Sequence, residues 1–175
     1  MNQRIATLLC LCLNAVALNA HALADDSAQL LHIQSNTFNY QDQRLQGIYQ
    51  GNVIATQGSR YLTADKLVIQ LTPDKQISQV DAYGTPAHYH YQPNPGDPLV
   101  YASANNIRYN PSQNMLSLIG NGEVQQNGNV FKGSLITYNT QTQIIESNGT
   151  KTPGGKPLMI IQPQTQRKAV PSYAS

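Results

Sequence analysis

The sequence reads SNTFNYQDQRLQGIYQGNVIATQG at residues 35–58 and ANNIRYNPSQNMLSLIGNGEVQQNG at residues 104–128, two copies of one pattern. Tyr40 and Gly51 in the first copy are separated by the same interval as Tyr109 and Gly120 in the second. Each copy alternates apolar and polar residues over short runs and ends at a glycine. The chain is therefore built from a repeated unit, and the repeat predicts its architecture.

A shorter motif occurs four times within and beside these copies. It consists of a small residue, an apolar residue three positions later, and a tyrosine or isoleucine two positions after that. The middle interval between occurrences is the longest because it contains the proline-rich segment 93–98, which no strand could accommodate. The occurrences are Ser35/Phe38/Tyr40, Ala64/Leu67/Ile69, Ala104/Ile107/Tyr109 and Gly133/Ile136/Tyr138.

The local period of hydrophobicity is two, as in Leu67 and Ile69, which alternate with Lys66, Val68 and Gln70. Turn signals such as Gln57-Gly58, Asn127-Gly128, Thr72-Pro73-Asp74 and Gln50-Gly51-Asn52 separate the alternating runs. Short alternating runs with frequent turns predict an antiparallel all-β protein. A repeat of about 30–40 residues in such a chain predicts stacked hairpins, whose first and last strands keep unpaired edges.

The composition excludes several classes of protein. Eleven Lys and Arg against nine Asp and Glu give a net charge of +2, too small for a strongly basic nucleic-acid binder. Charged residues make up only 11% of the chain, and 20 Gln and 16 Asn supply the polarity instead. The sequence indicates an uncharged polar β-protein.

The N-terminus has the pattern of a secretory signal peptide. Arg4 precedes an apolar run over residues 5–18, and Ala22-Leu23-Ala24 supplies an A-x-A cleavage site. We therefore expect residues 1–24 to be removed, although an uncleaved membrane anchor is the alternative. Both cysteines, Cys10 and Cys12, lie in this segment, so the processed chain would carry no thiol.

The processed chain is expected to form one domain over residues 25–162. Residues 163–175 contain too little apolar material to pack, and they are predicted to be a disordered C-terminal tail.

A search of the sequence for catalytic motifs finds none. It contains no G-x-S-x-G, no Walker-type loop, no EF-hand loop and no H-E-x-x-H, and Gly120-Asn-Gly122 lacks the closing glycine of a dinucleotide fingerprint. Asp25 and Asp26 would stand at the new N-terminus and are expected to be too mobile for acid–base work. The sequence predicts a protein that is not an enzyme and has no cofactor.

His88 and His90 lie on one face of a strand and could begin a zinc site. A third ligand such as His32, with Asp81, would have to come from elsewhere in the chain. The favoured interpretation is that both histidines point outward and hold no metal. The residues then facing inward are Ala87, Tyr89 and Tyr91.

Ten apolar residues form a stripe that recurs at equivalent positions of the repeat. They could be the core of a closed β-sandwich, but a tyrosine in a sealed core needs a partner for its hydroxyl. Alternatively they could line a groove that is open on one side and holds alkyl chains, with each buried CH₂ contributing about 0.8 kcal/mol. The stripe comprises Leu31, Ile33, Phe38, Tyr40, Leu67, Ile69, Ile107, Tyr109, Ile136 and Tyr138.

Several of these segments resemble the OstA-like domain family of lipopolysaccharide transport proteins, over roughly Leu31 to Gly149. The combination of G-N-V-x-x-x-Q-G with A-D-K shortly after it is the most specific part of the resemblance. The segments are Gly51-Asn-Val-Ile-Ala-Thr-Gln57-Gly58, Leu62-Thr-Ala64-Asp65-Lys66-Leu67-Val-Ile69, Asp81-Ala-Tyr-Gly84-Thr-Pro86-Ala87, Ala104-x-x-Ile107-x-Tyr109, Leu118-Ile-Gly120-Asn121 and Lys132-Gly133 with Ile136-Thr-Tyr138.

The resemblance implies an open, twisted antiparallel β-jelly roll whose apolar interior binds the acyl chains of lipopolysaccharide. By motif position, Leu31 and Ile33 would line the entry of the groove, and Tyr89 and Tyr109 its interior. The resemblance also implies head-to-tail self-association through strand edges. An LptC-like inner-membrane partner would bind the N-terminal edge and an LptD-like outer-membrane partner the C-terminal edge.

With this resemblance, the chain is expected to be a periplasmic carrier that shields lipid A acyl chains in transit from the inner to the outer membrane and supports outer-membrane assembly. The chain departs from the family pattern after Thr72, where Lys75 is the nearest candidate for a contact to lipid phosphate. The alternatives are a membrane-anchored LptC-like subunit, a carbohydrate-binding β-sandwich and a filament-forming secreted β-protein. No metal and no nucleic acid is expected.

Overall fold

The computed structural model describes residues 26–148 and 156–161, which form one antiparallel β-sheet of ten strands. Each long strand pairs with the next one along the chain, which confirms the prediction of an all-β fold built from successive hairpins. The long strands are β3 (Gln46–Gln57), β4 (Arg60–Leu71), β5 (Ile77–Tyr91), β6 (Val100–Asn110), β7 (Met115–Gln126) and β8 (Asn129–Asn139). The short strands are β1 (His32–Gln34), β2 (Thr37–Gln41), β9 (Ile145–Asn148) and β10 (Leu158–Ile160).

The two edges of the sheet are built alike, each from a pair of short strands. β1 and β2 both pair with β3, and β9 and β10 both pair with β8. Within the described part of the chain these four strands have no neighbour on their other side. The sheet therefore stays open, as the sequence predicted.

A crease runs across the sheet and divides it into two layers. Each pairing between neighbouring long strands shifts register near its middle, and the shifts lie side by side. The first layer contains residues 37–50, 66–83, 106–119 and 135–148, and the second contains residues 32–34, 53–63, 87–103 and 122–133 with β10. The two layers face each other. The Tyr91 hydroxyl of the second layer lies 2.7 Å from the Tyr138 hydroxyl of the first layer.

Gly51 and Gly120 allow β3 and β7 to bend at the crease. Their φ angles are +79° and +75°, in the left-handed region that favours glycine, and the asparagine after each also has a positive φ. The side chains of Asn36 and Asn105 pack against the space where a Cβ would stand. The prediction that Gln50-Gly51-Asn52 is a turn between strands was therefore wrong: the residues turn the chain, but within a strand.

The three-residue motif that occurs four times also marks the crease, on the strands that alternate with β3 and β7. Ala64, Ala104 and Gly133 stand where β4, β6 and β8 cross it, and Ser35 stands in the gap between β1 and β2. The apolar residue of each motif then falls in one row across the first layer and the last residue in the next. The rows, read through the register, contain Phe38, Leu67, Ile107 and Ile136, and then Tyr40, Ile69, Tyr109 and Tyr138.

Burial along these rows increases from the N-terminal to the C-terminal edge. Phe38 on β2 is 58% exposed, whereas Leu67, Ile107 and Ile136 are almost completely buried. Each fully buried aliphatic side chain contributes about 1.5–3 kcal/mol to folding. The protein's own core thus closes the space between the layers at β8 and leaves a cavity that reaches from β1 to β6 and β7.

Gln46-Gly47, which the sequence also marked as a turn, opens strand β3, whereas other predicted turns agree with the structure. The chain reverses at Gly58 between β3 and β4 and at Asn127-Gly128 between β7 and β8, and the proline-rich segment forms the loop between β5 and β6. No helix in the described residues has the length and apolar character needed to cross a membrane. The predicted signal peptide, residues 1–24, and the predicted tail, residues 163–175, lie outside the described residues.

Candidate functional site

A cavity of about 760 Å³ lies between the two layers and extends from the segment before β1 to residues of β6 and β7. Its walls are mostly apolar. The polar residues around it belong to the segment before β1, the β3–β4 hairpin end, the loop after β5 and the loops that carry Gln76, Asn114, Thr140 and Gln141. The apolar and tyrosine residues of the wall are Leu31, Ile33, Ala55, Tyr61, Leu62, Leu67, Ile69, Ile77, Val80, Tyr89, Tyr91, Pro93, Pro95, Ile107, Tyr109, Pro111 and Leu116.

Seven residues of the predicted groove lie together in this wall. Ile33 and Tyr89 belong to one row of the second layer, joined through Ala55 and Leu62. The first-layer residues face them from the other side of the cavity. The seven are Leu31, Ile33, Leu67, Ile69, Tyr89, Ile107 and Tyr109.

Phe38 and Tyr40, predicted to line the groove, lie instead at the edge of the first layer beyond the cavity wall. The Phe38 ring packs on Tyr49 with 4.6 Å between ring centroids. Both side chains remain exposed because no described strand covers β2 on its outer side. They extend the apolar face of the first layer to the edge of the sheet.

Ile136 and Tyr138, also predicted to line the groove, are completely buried at the closed end. The hydroxyl groups of Tyr138 and Tyr91 share a hydrogen bond of 2.7 Å, so each tyrosine finds a partner inside the protein. Burial raises the pKa of both hydroxyls, and the shared hydrogen bond raises that of Tyr91 further. This pair closes the cavity at the end away from the open edge.

Tyr89 gives the cavity wall an uncharged polar group. Burial raises the pKa of its hydroxyl, an effect that the nearby Arg60 cation opposes only in part. The hydroxyl therefore stays protonated at neutral pH. A wall of aliphatic side chains and neutral tyrosines is suited to hydrocarbon and to hydroxyl-bearing groups next to it.

Lys75, the predicted phosphate contact, lies in the turn between β4 and β5 and not in the cavity wall. Its ammonium group donates hydrogen bonds to the Tyr40 hydroxyl at 3.1 Å and to Asp42 at 3.3 Å. These two hydrogen bonds, that to Tyr40 first, raise the pKa of Lys75, so the group remains charged. It lies at the exposed rim of the first layer.

The sequence did not single out Arg60, the first residue of β4, which lies in the cavity wall. Its guanidinium carbon stands 5.7 Å from the centre of the Tyr109 ring, across the gap between the layers. Asp26 lies beside it, with 3.7 Å between Arg60 Nε and Asp26 Oδ2. Alternation could have placed Arg60 inward, since Leu62 follows two positions later on the same strand.

Asp26, which was expected to be too mobile for acid–base work, is held in place by hydrogen bonds. Its Oδ1 accepts a 2.7 Å hydrogen bond from the Ser59 backbone N–H, and its Oδ2 accepts one of 2.6 Å from the Ser59 hydroxyl. The turn between β3 and β4 thereby holds the segment that precedes β1.

The histidines form no metal site in the described part of the chain, where no cluster of three or more metal-ligating residues occurs. His88 and His90 face away from the inward row, and the His90 ring stacks on Tyr61 with 5.0 Å between centroids. Asp81 instead accepts hydrogen bonds from Arg108 at 2.7 Å and Gln79 at 2.6 Å. Ala87, Tyr89 and Tyr91 face inward, as predicted.

Both edges of the sheet expose large apolar side chains next to strands whose outer edges are unpaired in the described part of the chain. Leu30, Leu31 and Phe38 are exposed at the N-terminal edge. At the C-terminal edge the exposed residues are Ile144, Leu158, Met159, Ile160 and Ile161. Exposed apolar edge strands are sites at which another chain can pair.

Comparisons with known proteins agree with this geometry. Residues 32–144 match the family model described as LptA/(LptD N-terminal domain) LPS transport protein. The chain is similar to the lipopolysaccharide export system protein LptH of Pseudomonas aeruginosa, with 33% identity over 83% of this chain and 86% of that protein. It is also similar to LptA of Haemophilus influenzae, with 34% identity over 75% of this chain and 77% of that protein.

A solved structure has the same fold. The crystal structure of LptH from Pseudomonas aeruginosa, described as the LptA-homologous periplasmic component of the lipopolysaccharide transport device, superposes with a TM-score of 0.73 and 31% identity. The superposition covers 79% of this chain and 99% of that chain.

Proposed function

Because this chain belongs to the LptA/LptD N-terminal domain family of lipopolysaccharide transport proteins, we propose that it is a periplasmic lipopolysaccharide carrier. In this role it shields the lipid A acyl chains between its two layers while the head group stays at the open side. Membership in a transport family confirms the resemblance seen in the sequence and the prediction that the chain is not an enzyme.

The observation that carries this proposal is the apolar cavity at the open end of the sheet. The residues that line it are of the types that form the hydrophobic core, but the protein's own side chains do not fill the space between them. Hydrocarbon that enters gains about 0.8 kcal/mol for each buried CH₂. Ile33 and Tyr89 from the second layer, with Leu67 and Tyr109 from the first, would contact the chains on both sides.

The second part of the proposal is assembly by strand addition. The open edge at β1 and β2 would pair with an LptC-like inner-membrane partner or with another copy. The open edge at β9 and β10 would pair with an LptD-like outer-membrane partner or the next copy. Backbone hydrogen bonds across such a joint continue the sheet, and the exposed apolar side chains at both edges become buried. The cavities of successive copies would then form one continuous groove.

Photocrosslinking tests the carrier role. A photoreactive residue at Ile33 or Tyr109 should form adducts with lipopolysaccharide, because both positions lie in the cavity wall. The matched control is Tyr101, which is on β6 and 48% exposed outside this cavity. Adducts at Ile33 and Tyr109 without adducts at Tyr101 would support the proposal. Equal labelling at all three positions would contradict it.

A further inference from the structure

Arg60 places a positive charge in the wall of a mostly apolar cavity. Its side chain is only 23% exposed. The guanidinium stands over the face of Tyr109, an arrangement that stabilises a cation without using its hydrogen-bond donors. Its Nη1 donates to Gln57 Oε1 at 3.5 Å, a long contact. A guanidinium has five N–H donors in a planar fork that matches phosphate, so this group has the capacity to bind a further anion.

Asp26 supplies the anion that faces Arg60 in the absence of ligand. Its carboxylate is 19% exposed and lies 3.7 Å from Arg60 Nε. Its short hydrogen bonds go to Ser59 and not to Arg60. The ion pair is therefore loose, and the carboxylate could leave the guanidinium while the fold of the sheet stays intact.

The segment that carries Asp26 lies outside the strand ladder. Asp26–Ala28 form a single 3₁₀ turn ahead of β1. This turn is held to the β3–β4 hairpin by side-chain hydrogen bonds from Ser59 and from Gln57, whose amide donates to the carbonyls of Ser27 and Gln29. Residues of this turn, Asp26 and Ser27, also border the cavity. An incoming ligand therefore meets the turn at the cavity border.

We propose that Arg60 binds a phosphate group of the lipid at the border of the cavity and that Asp26 occupies Arg60 until this phosphate displaces it. The proposal rests on the proposed carrier function and adds its regulation: the lipid exchanges one anion for another, so Arg60 keeps a counter-charge throughout. Asp26 acts as an internal competitor that the lipid phosphate has to displace, so it weakens the binding of lipids that carry a phosphate in reach of Arg60.

The experiment measures the binding of two probes, lipid A and its dephosphorylated form, to the full processed protein and three variants. Arg60→Gln should lower the affinity for lipid A about tenfold, because a charge-assisted pair is lost, and leave the affinity for dephosphorylated lipid A unchanged. Arg60→Lys should retain part of the preference, since lysine keeps the charge but not the fork. Asp26→Asn should raise the affinity for lipid A severalfold, because the competitor is removed.

The dephosphorylated probe also reports on folding. A variant that binds it as the parent protein does has kept the cavity. Unchanged lipid A affinity in Arg60→Gln would overturn the proposal, and so would an equal loss for both probes. An unchanged or lower affinity for lipid A in Asp26→Asn would overturn the role of Asp26, because a merely structural ion pair predicts that result. If the parent protein bound neither probe, the carrier function would fall as well.

Inorganic phosphate distinguishes the lipid from a free anion. Under conditions in which neither probe saturates the protein, inorganic phosphate alone should not compete with lipid A. Phosphate lacks the acyl chains that enter the cavity. Competition by phosphate with the strength of lipid A would show a general anion site and overturn the proposal.

Discussion

At the scale of single residues, the buried pair of Tyr91 and Tyr138 joins the two layers. The hydroxyls are 2.7 Å apart, and both rings lie in the core. Replacing either tyrosine by phenylalanine removes the hydrogen bond and leaves the other hydroxyl without this partner. We expect each substitution to lower the free energy of unfolding by about 1–3 kcal/mol, and the double substitution to cost less than the sum of the two.

Urea unfolding of the three variants measures this coupling. Tyr101→Phe is the matched control, because Tyr101 is 48% exposed, and it should change the free energy of unfolding by less than about 0.5 kcal/mol. Additive effects of the two core substitutions would show that the hydroxyls do not interact.

The same pair predicts how stability depends on pH. Burial raises the pKa of Tyr91 and Tyr138 above the ordinary value of 10.0, so the unfolded chain loses these protons first. Their contribution to stability is therefore complete below pH 10 and declines as the pH rises above it. Chemical unfolding between pH 9 and 11 should show a smaller decline in Tyr91→Phe/Tyr138→Phe than in the parent protein. An identical decline in both would contradict the raised pKa values.

Arg60 shows what the sequence could not disclose at this scale. Its inward direction follows from the alternation of β4, but its meeting with Tyr109 depends on the crease, which brings the start of β4 against β6. Lys75 had the more suggestive position in the sequence, yet the β4–β5 turn directs it to Tyr40 and Asp42. The presence of a charged residue in the sequence therefore did not reveal which cation lies at the cavity.

At the scale of the strands, the crease depends on glycines with positive φ. Gly51→Ala should lower the free energy of unfolding by about 1–3 kcal/mol, because alanine strains this backbone conformation and its Cβ would meet the Asn36 side chain. Gly96→Ala is the matched control: Gly96 has φ +83° but nothing within 4 Å of a Cβ. Gly96→Ala therefore reports backbone strain alone, and thermal unfolding should show the larger loss for Gly51→Ala. Equal losses would show that Asn36 does not crowd the crease.

The open edges can be tested by charge. Ile160→Lys places a lysine on exposed β10, and charged residues on edge strands oppose the pairing of another chain. We expect this variant to stay monomeric by light scattering at concentrations where the parent protein forms larger assemblies. Ile119→Lys, on an exposed face of β7, which is paired on both sides, is the matched control and should assemble as the parent does. Assembly of Ile160→Lys at the parent level would contradict strand addition at this edge.

The repeated motif explains why so much of the strand order was predictable. A small residue followed by two inward residues is the pattern of a strand that crosses the crease, and the four copies fall in register. Gly51-Asn52 was misread because a bend within a strand and a turn between strands require the same positive φ. Residues with positive φ occur in both settings of this chain, at Gly51 and Gly120 within strands and at Gly58 and Gly128 in turns, so the sequence could not separate them.

At the scale of the whole molecule, the inward rows are exposed at the N-terminal edge, at Phe38, and completely buried at β8, at Ile136 and Tyr138. The apolar stripe therefore has two roles that spacing cannot distinguish. Ile107 and Tyr109 reach the cavity, whereas Ile136 and Tyr138 occupy equivalent motif positions in the sealed core. Only the position of a strand within the sheet separates core from cavity wall. Both interpretations of the stripe, a filled core and an open groove, hold in different parts of one structure.

The most direct test of the lipid-carrier proposal is native mass spectrometry of the protein incubated with lipopolysaccharide. Ala55→Trp would fill the cavity from its wall, and Ile54→Trp, on the neighbouring residue outside that wall, is the matched control. We predict bound lipopolysaccharide on the parent protein and on Ile54→Trp, and its loss from folded Ala55→Trp. Undiminished lipid on Ala55→Trp, or none on the parent protein, would contradict a function that depends on this cavity.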